Sequence, residues 1–216
     1  MRPGRLAAAV ALILTLGCAA CDSPGGSAAP RGGEATELEI PPGVQPPESI
    51  AGDAAERVEK SLLTTLPGVA PVPLDPEYSD GIASTVCGNK RGPQAYDSDS
   101  GMRREWSGSG TRVFQFVGAF GAVTATQAID QVAGVLGCGS YSDRDGQYTG
   151  VHKVTVPSAR LAFCETVDGK TAFCTSLLAR DDILVRVQVA APDEATATKT
   201  LAGVTSQATQ RLAKAW

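Results

Sequence analysis

One histidine, His152, stands among 216 residues. Any Ser-His-Asp arrangement has only that residue to draw on. It lies in Gly150-Val151-His152-Lys153-Val154, a strand-like run, and the chain contains no Gly-x-Ser-x-Gly elbow. Beyond Cys21 no two cysteines stand in C-x2-C spacing, so with one histidine a zinc site lacks its ligands. No run of five to eight Lys or Arg residues occurs, which removes the electrostatic footprint of nucleic-acid binding. There is no Gly-rich ATP loop, no His-Arg-Asp and no Asp-Phe-Gly. Gly169-Lys170-Thr171 looks like the end of a phosphate loop, but the loop's other glycine would fall at Cys164, so it reads as a hairpin turn. Carboxylates such as Glu105 and Glu165 show no spacing that singles out an acid/base pair. Neither catalytic residue, metal nor cofactor is expected.

Long apolar runs are also missing. The run Leu6 to Leu16 has eleven residues, where a spanning helix needs about 20. Two arginines and no acid precede it, the pattern of an export signal. It ends in Leu14-Thr15-Leu16-Gly17-Cys18-Ala19-Ala20-Cys21, which resembles a lipobox, the signal whose cysteine is diacylated and becomes the new N-terminus. Cys18 fits with Gly17 before it, though Leu16 is bulky for its place. Cys21 fits with Ala19-Ala20 before it. Parity favours Cys21, because cleavage there leaves four further cysteines and cleavage at Cys18 leaves five. Stable anchoring takes two acyl chains or more, which the diacylglyceryl group supplies. The expected location is the cell membrane, lipid-anchored, on its extracytoplasmic face.

Residues 1–20 are thus read as a lipoprotein signal peptide. Residues 21–47, made of Gly, Pro, Ser, Ala and Glu with few large apolar side chains, are read as a flexible linker, because they bury too little surface to offset ordering. Residues 48–216 suffice for one domain with a real core. The chain has 19 Lys+Arg against 23 Asp+Glu, a net charge of −4; loss of Arg2 and Arg5 with the signal makes it −6. This acidic balance disfavours docking onto anionic lipid.

Periodicity then orders the domain. Ile50, Ala54, Val58, Leu62 and Leu66 mark one helix face over Ser49 to Leu66. Pro67-Gly68 stops it, Pro71 to Pro76 is extended, and Asp80 to Val86 is a candidate short helix. Asn89 to Gly101 reads as a loop. Met102 to Ser107 and Thr111 to Phe120 flank Ser107-Gly108-Ser109-Gly110, a hairpin signal. Thr124 with Gln127 forms a capping box before a stripe of Ala125, Ala128, Ile129, Val132 and Leu136, and Gly137 ends that helix. Tyr148 to Val156, Ala159 to Val167, Thr171 to Ala179 and Ile183 to Ala191 read as strands. Pro192 as the first helical residue opens a final helix with Asp193 and Glu194 in its first turn. The order predicts an α+β fold, a single antiparallel sheet with helices packed on one face.

Cys87, Cys138, Cys164 and Cys174 in an exported domain imply two disulfides, with three possible pairings. A two-residue turn after Val167 puts Cys164 opposite Phe173 and lets Cys138 reach a sheet cysteine. A three-residue turn, Asp168-Gly169-Lys170, puts Cys164 opposite Cys174 and leaves Cys87 for Cys138. The first, with Cys138 bonded to Cys174, is the expectation, and the second stays open. For a ligand, Arg103 and Arg104 with Trp106 offer guanidinium forks and a stacking surface. Arg180-Asp181-Asp182 reads as a polar turn. Phe114, Phe116, Phe163 and Phe173 read as core, with an apolar cleft as the alternative.

The strand and alanine-rich helix closing on a cysteine (Thr111 to Cys138), the run from Gly169 through Cys174, Leu177, Arg180-Asp181-Asp182, Val185 and Val187, and the terminal Ala/Thr-rich helix together resemble the PknH-like extracellular sensor domain of actinobacteria. The resemblance covers about Val72 to Trp216. It implies a disulfide-stabilised domain with a cleft for an unidentified extracellular ligand, of the kind carried by a mycobacterial kinase and by free lipoproteins. The expected partners are therefore the membrane, through the lipid, and a small molecule or envelope protein. A structural lipoprotein contacting envelope proteins or polymers is the alternative, and an envelope hydrolase trails both.

Overall fold

The computed structural model describes residues 50–73, 83–91, 98, 100–143 and 145–216. The residues read as signal peptide and linker lie outside them, as do residues 74–82, where the expected extended connection ends and the candidate short helix begins. The described chain forms helix α1 (Ile50–Ser61), strand β1 (Ala70–Pro71), a 3-10 segment (Val86–Arg91), strands β2 (Ser100–Gly108) and β3 (Thr111–Ala119), and helix α2 (Ala125–Val135), which tightens into a 3-10 turn at Leu136–Cys138. Strands β4 (Ser140–Ser142), β5 (Gln147–Lys153), β6 (Leu161–Val167), β7 (Thr171–Arg180) and β8 (Ile183–Ala191) follow, then helix α3 (Glu194–Ala213). One antiparallel sheet joins the strands in the order β1-β2-β3-β8-β7-β6-β5-β4. The short strands β1 and β4 have too few residues to show a period and were not foreseen.

Turn chemistry sets the register. Gly108 pairs with Thr111 across Ser109-Gly110, both at positive φ (50° and 74°), as a two-residue hairpin requires. At the next decisive hairpin Val167 pairs with Thr171, so the turn has three residues, with Asp168 and Gly169 left-handed at 51° and 66°. Cys164 therefore stands opposite Cys174. The disulfides are Cys164–Cys174 and Cys87–Cys138. This corrects the Cys138–Cys174 expectation: the extra turn residue shifts every side chain of one strand to the other face.

The helix starts follow their caps. Thr124 and Gln127 form the reciprocal capping box expected of them. At α3 the sequence reading needs correction, because Asp193 is the N-cap and accepts from Thr196 N at 2.8 Å. Its carboxylate satisfies a free N–H of the first turn, which pushes Pro192 outside the helix. The C-terminal end of α1 is held from below: Gln115 accepts from Leu63 N at 2.8 Å and donates to Ser61 O, while Arg211 of α3 donates to Leu62 O.

Each face of the sheet carries its own core. On the first face Val113, Val117, Val185, Val187, Val189, Cys164 and Cys174 pack against Ala54, Val58 and Leu62 of α1 and Ala197, Leu201 and Ala208 of α3. On the second face Phe116, Phe163, Leu177 and Leu184 pack against Ala125, Ala128, Ile129 and Val132 of α2. The single antiparallel sheet, the helices and the number of disulfides are those expected, but the pairing differs and the helices occupy both faces. The alternation of Val185 and Val187 with Leu184 shows why, since both sets are apolar and each needs cover.

Candidate functional site

Helix α2 covers only part of the second face. Strand alternation puts Arg112 and Phe114 of β3, Arg103 of β2, Arg186 and Gln188 of β8, Phe173 of β7 and Glu165 of β6 on that face, and these are the side chains α2 leaves uncovered. They line a cleft of about 520 Å³, walled by Ser84, Thr85, Val86 and Gly88 on one side and by Tyr141, Asp143, Asp145 and Tyr148 at its far end. The Cys87–Cys138 bond ties the first wall to the end of α2.

One end of the cleft is cationic. Glu105, buried at 6% exposure, accepts from Arg112 Nη2 at 2.5 Å and lies 3.7 Å from Arg103 Nη2. The two guanidiniums lie 5.4 and 5.1 Å from the centre of the Phe114 ring. Arg186 lies over Phe116 at 5.2 Å and donates to Ala83 O. Arg103 and Arg112 thus meet at one buried carboxylate, with Arg186 on the same face.

The other end is acidic and aromatic. Tyr141 and Tyr148, directly paired across β4 and β5, stack at 4.5 Å with an interplanar angle of 3°. Tyr141 donates its hydroxyl to Glu165 Oε2 at 2.9 Å. Glu165 is 4% exposed, and burial raises its pKa to about 7, against the lowering effect of the Tyr141 bond; nearby Asp143 raises it further. Burial and the same carboxylate push the Tyr141 phenol well above its ordinary range, and burial with Asp143 does so for Tyr148. Both phenols remain neutral donors at physiological pH.

No protein-family model and no curated protein matches the chain. Among solved structures it is similar to the extracellular domain of PknH from Mycobacterium tuberculosis, at 13% identity and a TM-score of 0.38, over 53% of this chain and 64% of that domain. The chain therefore spans less than two thirds of the PknH domain. An uncharacterized protein of Mycobacterium smegmatis overlaps at 14% identity and a TM-score of 0.31, over 72% of this chain and 97% of its own. CalU16 from Micromonospora echinospora overlaps at 13% and 0.28, over 54% and 86%.

The residues singled out in the sequence are divided by the fold. Arg103 reaches the cleft, but Arg104 and Trp106 do not. Trp106 is 1% exposed in the first-face core, with Arg104 beside a separate small hollow there. Neighbouring strand residues point to opposite faces, so Arg103 cannot act together with either. The four phenylalanines also separate: Phe116 and Phe163 are core under α2, while Phe114 and Phe173 line the cleft.

Arg180 donates to the carbonyls of Leu212 and Ala213 and lies over the Trp216 ring at 4.2 Å. Asp182 pairs with Arg57 at 2.7 Å. That turn joins helices to the sheet. His152 lies outside the cleft lining, half-exposed, its Nδ1 at 2.7 Å from Gly150 O and its Nε2 at 3.1 Å from Glu194. The Gly150 carbonyl chiefly, and Glu194 with it, raise its pKa against partial burial.

Sequence reasoning missed Arg112, Arg186, Gln188, Glu165, Tyr141 and Tyr148. The available signal was polar side chains set into otherwise apolar strands, as Arg186 and Gln188 are in β8. Among the described residues no helix is long and apolar enough to cross a membrane.

Proposed function

We propose that this chain is a cell-envelope lipoprotein whose extracytoplasmic domain binds or senses a small ligand in the second-face cleft without transforming it. The anchor is the diacylated Cys21, with Cys18 as the alternative acceptor. One observation carries the reading: among the described residues, part of a sheet face forms a walled cleft, lined by a few convergent polar groups over aromatic rings. Such concavities are the usual seats of small molecules. Two disulfides suit a domain that works where thiols oxidise.

Native mass spectrometry of the mature protein purified from its own envelope tests the reading. A bound small mass that is lost on partial unfolding is expected. A domain that always arrives empty, yet co-elutes stoichiometrically with an envelope protein, would replace the binding module with an interaction scaffold.

A further inference from the structure

We propose that the second-face cleft holds an uncharged sugar ring, stacked on Phe173 and hydrogen-bonded by the Gln188 amide and the Tyr148 hydroxyl. This rests on the binding-module reading and names the ligand's chemistry.

The charged residues of the lining are already engaged. Arg112 is paired with Glu105, where Arg103 also lies, and Arg186 donates to Ala83 O. Asp143 accepts from the amides of Asp145 and Gly146, and Glu165 accepts from Tyr141. Arg103, Arg186 and Asp145 each have a further interaction besides. Burial also works against a charge on Glu165. A charged guest would have to draw one of these groups from its partner, and the partner left behind bears the cost.

What remains unengaged among the described lining residues is uncharged. The Gln188 amide and the hydroxyls of Tyr148, Thr85 and Ser142 line the cleft, and none of these four groups has a hydrogen-bond partner there. Each can both donate and accept. An apolar guest would cover them without satisfying them. A sugar hydroxyl also donates and accepts, so it meets such a group in either sense, whereas a ligand amide offers one fixed donor side and one fixed acceptor.

The sheet register sets polar and apolar parts side by side, as a sugar ring requires. Phe114 pairs with Gln188, and Gln188 with Thr175, two residues beyond Phe173 on the same face of β7. The amide position therefore lies between the two phenyl positions. The Phe114 ring is taken by the guanidiniums of Arg103 and Arg112. The Phe173 ring is half-buried and has no ring or cation contact among the described residues. It offers an apolar face to the C–H side of a pyranose. At about 520 Å³ the cleft is of small-molecule size.

The probes are the methyl α- and β-glycosides of glucose, mannose and galactose. For the tightest of them, matched comparators carry an ammonium or a carboxylate at carbon 6. The blocked amide N-acetylglycine methylamide stands for an uncharged ligand of another class. Ligand-observed saturation-transfer NMR on the mature full-length protein, in a detergent without a sugar headgroup, reads the dissociation constants. At least one glycoside is expected to bind, with each comparator about fivefold weaker or more. Gln188→Ala should weaken the glycoside about fivefold, the worth of one hydrogen bond. Phe173→Leu, which keeps the place apolar and removes the flat ring, should weaken it about threefold.

Binding of no glycoside, or a comparator that binds as tightly, overturns the sugar assignment even if the variants fold poorly, because that comparison uses the unaltered protein. Unchanged glycoside binding by both folded variants overturns it as well, since the sugar would then sit elsewhere. A charged small molecule that co-purifies in the cleft ends the sugar assignment and leaves the binding module intact, whereas a domain that always arrives empty ends the module itself.

Discussion

Glu165 is the residue on which the cleft's electrostatics turn. Its carboxyl rises from an ordinary 4.5 to about 7 because burial penalises the charged form more than the Tyr141 hydroxyl favours it. Between those two values the folded chain holds a proton that the unfolded chain has lost. Stability therefore falls as pH climbs from about 4.5 to 7 and the full cost persists above, of the order of 3 kcal/mol. Glu165→Gln should flatten that slope in urea titrations at successive pH values. Tyr141→Phe removes the stabilising donor and should move the Glu165 titration upward, read as the carboxyl carbon shift by NMR. A second prediction concerns Gly118, where an added Cβ would lie 2.7 Å from the Phe116 ring. Gly118→Ala should cost about 2 kcal/mol by overpacking, measured by chemical denaturation, since Phe116 is wedged between that position and Arg186. None of these couplings could be read along the chain. Glu165 and Tyr141 stand twenty-four positions apart, and what joins them is a strand order that places β4 and β6 on either side of β5.

At the scale of elements, the local signals were legible and the long-range ones were not. The Thr124 capping box, the Ser109-Gly110 turn and the boundaries of β8 follow from chemistry confined to four or five neighbours. The pairing of cysteines depended on whether one turn holds two residues or three, and Lys170 decided it. The division of helices between faces depended on Leu184 and Leu177 being as apolar as the valines beside them, which periodicity alone does not reveal. The two disulfides should differ in consequence. Cys164–Cys174 joins strands already paired and closes a separation of 10, whereas Cys87–Cys138 closes a separation of 51 and fixes the cleft wall. Chain entropy gives about 3 kcal/mol for the first and about 4 for the second. Replacing Cys87 and Cys138 together by serine should lower the denaturation midpoint more than the other double replacement, and should weaken ligand binding as well. Equal losses of binding from both would mean that the wall does not depend on its tether. Thr124→Ala, by contrast, should cost only about 1 kcal/mol, seen as a small shift in thermal unfolding.

For the whole molecule, the anchor and the domain make separable claims. Cys21→Ala should move the protein from the detergent phase to the aqueous phase on Triton X-114 partition, while Cys18→Ala should leave it in detergent; the reverse result would move the lipid to Cys18. Either variant should keep both domain disulfides, checked by mass shift on alkylation with and without reductant. The cleft on the second face has one more consequence. Arg103 and Arg112 already lie beside Glu105 and against one phenyl ring before anything arrives. Long side chains usually surrender rotamer freedom when a guest docks, at roughly 0.5–1.5 kcal/mol each. Here much of that freedom is gone once the sheet has formed, so that end of the cleft is preorganised and should discriminate among guests by shape.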